Sequence, residues 1–226
     1  MPYIVKHLHT GQEFERPDII LDWSREEHDW TQHTDPAVEA FHKTLPHYGE
    51  TELHNLPSIA SELGVSHVFI KDESTRFGLP SFKILGASWA VHRTVCRRLG
   101  VPSTTSMAEL ASILKERNDV RLVSCTEGNW GRACARMAQY LGIPITIYVP
   151  GFMNDYTQDL LRGEGADVKV LNGGSYDDSI AAARNDAEAS RSLLVMDTSW
   201  DGYTEIPEVS RNPSSSQSSA DFPSSG

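Results

Sequence analysis

Apolar and polar positions alternate along this chain with two periods, and the switch from one to the other divides it into elements. Between residues 83 and 99, Ile84, Leu85, Ala87, Ala90, Val91, Val95 and Leu99 recur at helical spacing, and Gly100 follows. This predicts a helix over 83–99 with a glycine stop. Downstream, residues 120–124, 145–149, 167–171 and 193–196 read as strands, and 131–141, 155–162 and 176–189 read as the helices between them. Strands this apolar, alternating with helices, predict an α/β fold whose parallel sheet is covered on both faces.

Shorter elements precede these. Asp35-Pro36 ahead of Ala37 to His42 reads as an N-cap, a proline at the first helical position and a short helix. Residues 57–63 form a second short helix stopped by Gly64, and 67–71 a strand. Ser106 and Glu109 have capping-box spacing and open a helix to about residue 117. Residues 1–55 are polar and aromatic, with Trp23, Trp30, Pro17 and Pro46. At the other end, seven of the sixteen residues from Arg211 to Gly226 are serine. Such a composition cannot bury a core, so 210–226 is expected to be a disordered tail.

Composition narrows the function. The 226 residues suffice for one large domain or two small ones, and 39% are hydrophobic, enough for a core. A net charge of -11 argues against nucleic acid or an anionic membrane as the main partner. No apolar run approaches a membrane span, and residues 1–10 lack the apolar stretch of a secretory signal. Cys96, Cys125 and Cys134 form no even framework and no CxxC, which points to a reducing, cytoplasmic compartment. All nine histidines precede residue 93. His7 and His9 lack the Cys or carboxylate partners of a zinc pattern, so no metal site is expected. A Ser/His/Asp hydrolase built within 93–226 has no histidine base.

Three stretches carry candidate chemistry. Lys83 stands behind a Gly/Pro-containing loop and at the head of the apolar helical run. As plain sequence it reads as a solvated lysine of a first helical turn. As chemistry, burial or nearby cations would make its amine a nucleophile able to form a Schiff base. Ser124 to Arg132 includes Gly128-Asn129-Trp130-Gly131 between a strand and a helix, which is either an ordinary turn or an anion-accepting helix N-terminus. Asp197 follows the last strand, in a surface loop or at the carboxyl end of a parallel strand where chemistry is commonly sited.

Lys71-Asp72-Glu73, Arg76-Phe77-Gly78 and Ser81-Phe82-Lys83 resemble the lysine segment of the tryptophan-synthase-β-like (fold type II) pyridoxal phosphate enzymes. Arg76-Phe77-Gly78-Leu79, followed by Phe82-Lys83-Ile84-Leu85-Gly86, resembles the diaminopropionate ammonia-lyase branch in particular. The resemblance runs from roughly residue 20 to 209 and rests on three motifs in the same order. It implies pyridoxal 5'-phosphate held by Lys83, with Phe82, Gly128 and Asn129 as cofactor-binding residues and Asn129 facing the ring hydroxyl. It also implies two catalytic carboxylates, Asp197 and Glu127, one for each substrate enantiomer. In that family the loop reads Asp-Gly-Asn-His-Gly-Arg. Here Glu127 stands at the aspartate, and Trp130 replaces the histidine with bulk expected over the cofactor region.

The implied function is α,β-elimination of the amino acid 2,3-diaminopropionate to pyruvate and ammonia, by a homodimer. A non-catalytic remnant or interaction module is one alternative, and a serine/threonine dehydratase-like lyase is another. Arg76-Phe77-Gly78 and Trp200-Asp201-Gly202-Tyr203 favour the ammonia-lyase over the dehydratase. Residues 1–85 would form the N-terminal part of a large domain, and 86–209 a small α/β domain with its return segment. The family's phosphate-binding glycine loop lies in a C-terminal half, so the chain is expected to be truncated, with part of the large domain missing.

Overall fold

The computed structural model describes residues 3–6, 13–16 and 36–211, with side chains over 36–208. The expectations for His7, His9, Trp23, Trp30 and most of the tail fall outside these residues. Residues Met1–His33 make a separate unit, in which β1 (Tyr3–Lys6) pairs antiparallel with β2 (Glu13–Arg16).

The second unit starts at Thr34. Helix α1 (Pro36–Lys43) begins on the expected proline. Strands β3 (Leu53–Asn55) and β4 (Phe69–Lys71) pair antiparallel around α2 (Pro57–Leu63), which ends on left-handed Gly64. Helix α3 (Lys83–Leu99) has the bounds the periodicity predicts, closed by Gly100 at φ 67°. Its buried stripe of Ile84, Ala87, Val91 and Val95 packs on α5 (Asn129–Leu141). Helix α4 (Met107–Lys115) carries both bonds of the capping box between Ser106 and Glu109. The expected division between residues 85 and 86 falls inside α3.

The main sheet is parallel. It contains β5 (Leu122–Cys125), β6 (Ile145–Pro150), β7 (Asp167–Leu171) and β8 (Leu193–Leu194), in the order β7-β6-β5-β8. Alternate strand residues feed two cores. Leu122, Ile145, Ile147 and Val149 face α3, α5 and α6 (Asp155–Gly163). Val123 and Cys125 face α7 (Tyr176–Ser190), where Ala183 and Ala187 receive them. Helices α5 and α6 thus cover one face and carry the chain outward from β5 to β7. Helix α7 returns over the other face and sets β8 on the far side of β5. The order of strands therefore reverses between β5 and β8, and in open α/β sheets ligands bind outside the carboxyl ends at such a reversal. The short α8 (Glu205–Arg211) lies on α3, where Glu205 pairs with Arg97.

Candidate active site

The loop into α3 is built to hold its shape. Arg76 bonds Glu73 through both guanidinium arms at 2.6 Å, and it also donates to Thr51 Oγ1 at 2.8 Å and to the Gly49 carbonyl. These bonds, foremost that from Arg76, hold the Glu73 carboxyl below its usual range. Phe77 then takes a left-handed backbone at φ 50°, unusual for a side-chain-bearing residue, with its ring 2% exposed. Gly78 continues the turn at φ 73°. The Arg-Phe-Gly motif is thus a clamp and a tight turn that deliver Ser81-Phe82-Lys83 to the head of α3.

Lys83 is the first residue of that helix, and its backbone N–H donates to Ser81 Oγ. Its amine donates to Asp197 Oδ2 at 2.8 Å, across 114 residues of sequence. The side chains are 39% and 20% exposed, so the pair is partly open to solvent rather than sealed in the core. The Phe82 ring is largely exposed, with its centroid 5.8 Å from the Lys83 amine.

Strands β5 and β8 are neighbours, so the loops that follow them leave the sheet together. Ser124 Oγ donates to the Val195 carbonyl at 2.7 Å, and the Cys125 N–H approaches Met196 Sδ at 3.3 Å. Asp197 is the next residue on one side; Thr126, Glu127, Gly128 and Asn129 follow on the other. Glu127 and Asn129 are exposed at the mouth, and a Cβ added at Gly128 would meet nothing within 4 Å. The floor is apolar. Burial pushes the Cys125 thiol up to about 12 and the Tyr176 hydroxyl well above its usual range. The thiol is therefore no nucleophile at neutral pH.

Trp130 corrects one expectation. Its indole does not lie over the loop; it is 5% exposed, turned under the sheet end, and donates from Nε1 to Ser124 Oγ and the Val195 carbonyl. A ring at the first turn of a helix that faces an apolar strand gains more from burial than from solvent. Trp130 thereby ties the β5 loop to the segment that bears Asp197.

Two contributors were given no structural role from sequence. Thr126, 2% exposed, accepts the N–H groups of Gly128 and Gly131 on one hydroxyl, at 2.9 and 3.0 Å. It answers amides that the first helical turn leaves without partners. A Cβ at Gly131 would stand 2.4 Å from Thr126 Cγ2, which is why glycine occupies that position. Its only sequence signal is a threonine at the start of a Gly-containing loop. The second contributor, Tyr203, follows the Asp201-Gly202 turn and is taken up below.

A family model described as pyridoxal-phosphate dependent enzyme matches residues 44–214. A diaminopropionate ammonia-lyase of Salmonella typhimurium is 38% identical over 173 residues, which are 75% of this chain and 43% of that protein. A diaminopropionate ammonia-lyase of Escherichia coli is 33% identical over 168 residues, 74% of this chain and 42% of that one. The crystal structure of the Escherichia coli lyase in apo form superposes with a TM-score of 0.73 at 31% identity, covering 81% of this chain and 49% of that chain. The chain spans less than half the length of these relatives.

Proposed function

The chain belongs to the pyridoxal-phosphate dependent enzyme family, and we propose that it acts as an ammonia-lyase on 2,3-diaminopropionate. The observation that carries this reading is the contact of Lys83 with Asp197, 2.8 Å apart, beyond the carboxyl ends of the strands where the strand order reverses. The donor set suits the cofactor. A primary amine stands half-exposed beside an exposed aromatic ring, with a carboxamide and an open glycine on the neighbouring loop.

Lys83 would hold pyridoxal phosphate through its amine, with Phe82, Gly128 and Asn129 around the ring and Asn129 at the ring hydroxyl. When bound, this group supplies the electron sink that makes the α-hydrogen of an amino acid acidic. The chain's own residues do the rest. Asp197 accepts the α-proton of one enantiomer at its carboxylate, and Glu127 accepts that of the other. Lys83 and Asp197 are within one hydrogen bond, so a proton can pass between them without solvent. The β-amino group departs as ammonia, and one water converts the remaining three-carbon fragment to pyruvate and a second ammonia. The apolar floor under the loops, formed in part by the buried Cys125 and Met196, keeps water from the underside of the site. No helix among the described residues is long and apolar enough to cross a membrane, and all three cysteines are free and buried. These features fit a cytoplasmic enzyme, and the same family reading assigns it a homodimer.

The purified chain is mixed with pyridoxal phosphate, reduced with borohydride and mapped by mass spectrometry, alongside Lys83→Ala. A visible absorption band and one stoichiometric adduct on Lys83, both absent from Lys83→Ala, are expected. Ammonia and pyruvate release from each diaminopropionate enantiomer follows. No band, or adducts scattered over many lysines, would sink the reading of Lys83 as the cofactor lysine.

A further inference from the structure

Among the described residues β8 is an edge strand, and edge strands leave every second N–H and C=O without a ladder partner. Toward β5 the groups are answered: Leu193 N–H donates to the Arg121 carbonyl at 2.8 Å, Val195 N–H donates to the Val123 carbonyl at 2.9 Å, and Val195 C=O accepts from Ser124 Oγ. On the outer side a single side chain takes over. Tyr203 Oη donates to the Leu194 carbonyl at 2.9 Å and accepts from the Met196 N–H at 2.9 Å. A neighbouring strand would bond this same pair of groups, flanking Val195, with its backbone.

The tyrosine is itself braced. Its ring stacks on Trp200 at 4.3 Å between centroids, and the guanidinium of Arg184 lies 4.8 Å over the Trp200 ring. The backbones of Trp200 and Tyr203 bond each other in both directions, closing a turn through Gly202 at φ 83°. Burial pushes the Tyr203 hydroxyl far up, so it stays protonated and keeps donating. Asp197 is the residue immediately after the pinned Met196. Regular pairing ends at Leu194, and the last ladder bond toward β5 is that of Val195 N–H, so on the outer side the backbone next to Asp197 is held by Tyr203.

We propose that Tyr203 is a positioning residue: its hydroxyl stands in for a neighbouring strand at the end of β8 and so fixes the Asp197 carboxylate against the Lys83 amine. This rests on the reading of Asp197 and Lys83 as the working pair. The hydroxyl's two hydrogen bonds go to the Leu194 carbonyl and the Met196 N–H, so it acts through the backbone of Met196.

The test uses Tyr203→Phe, which keeps the stacked ring and removes only the hydroxyl, together with Asp197→Asn and the double variant. Amide hydrogen exchange is followed at Met196. Acetylation of Lys83 by acetic anhydride is followed by peptide mass spectrometry, with no cofactor needed. Tyr203→Phe should lose about tenfold in Met196 protection, while Val195 keeps its protection through Val123. It should also raise Lys83 acetylation to the Asp197→Asn level, because an amine released from a carboxylate reacts faster, and the double variant should add nothing. Wild-type protection and wild-type acetylation in a folded Tyr203→Phe would overturn the proposal. Lost Met196 protection with Lys83 acetylation still at the wild-type level would also overturn it, leaving Tyr203 as an edge cap alone. If Asp197→Asn itself leaves Lys83 acetylation unchanged, the pairing of Lys83 with Asp197 fails instead. Where the loaded enzyme turns over, Tyr203→Phe should lower kcat for the enantiomer served by Asp197 and spare the one served by Glu127.

Discussion

Replacing Thr126 by valine isolates the hydroxyl that holds the loop after β5. Valine keeps the branched shape that fills the space against Gly131, so the change is nearly all hydrogen bonding. The hydroxyl accepts from Gly131 N–H at 3.0 Å and Gly128 N–H at 2.9 Å, and donates to the Gly128 carbonyl at 3.2 Å. Gly131 is buried, so its amide loses its partner with no water to replace it, at a cost of about 1–3 kcal/mol. Gly128 is half-buried and water can answer part of its loss. The sum is about 2–4 kcal/mol, or a fall in Tm of roughly 5–15 °C for a domain of this size. The assay is urea and thermal unfolding followed by tryptophan fluorescence, since the buried Trp130 indole sits beside the loop. Thr126→Ser keeps the hydroxyl and loses one methyl, and should cost only about 1 kcal/mol. The reasoning is refuted if Thr126→Val unfolds at the same denaturant concentration as Thr126→Ser, for then the hydroxyl does not hold these amides.

Other outcomes follow from the same structure. Glu164, 6% exposed, is held by Arg132 and Arg136; burial raises its carboxyl, but the two guanidinium groups outweigh that and keep it below its usual range. Glu164→Leu, which leaves two partly buried cations facing an apolar group, should cost about 3–5 kcal/mol in denaturant unfolding, and a loss under 1 kcal/mol would contradict this. Burial lowers the pKa of His42 and of His92, whose rings bond the Leu85 and Thr105 carbonyls. The unfolded chain therefore takes up these protons first. Stability is full above about pH 6.5 and falls below it by up to about 1.4 kcal/mol per pH unit for each histidine, until the folded pKa is passed. Unfolding free energies between pH 5 and 8 check the slope, and His42→Gln should reduce it. Glu127→Asp shortens the carboxylate arm by one methylene. Under the proposed role of Glu127 as the base for one enantiomer, turnover of that enantiomer should fall by up to about a hundredfold while the other is unchanged, as measured by ammonia release.

Much of this protein is written locally. The bounds of α3, the left-handed stop at Gly100 and the capping box at Ser106 follow from periodicity and side-chain hydrogen bonding within a few residues, and the structure reproduces them. Lys83, Asn129 and Asp197 stand out because strand-loop-helix punctuation and family motifs are both readable in one dimension. The direction of the Trp130 indole was not readable, because it depends on the apolar underside of a sheet end that the sequence does not display. Nor was the role of Tyr203, whose two hydrogen bonds go to the outer side of β8, the edge strand of its sheet among the described residues. Above all, the meeting of Lys83 with Asp197 was decided by α7 crossing the sheet on the face opposite α5 and α6. Periodicity says that a helix has an apolar side; which face of the sheet that side covers is settled by the packing of the whole unit. That choice put β8 next to β5 and brought the loops after both strands together.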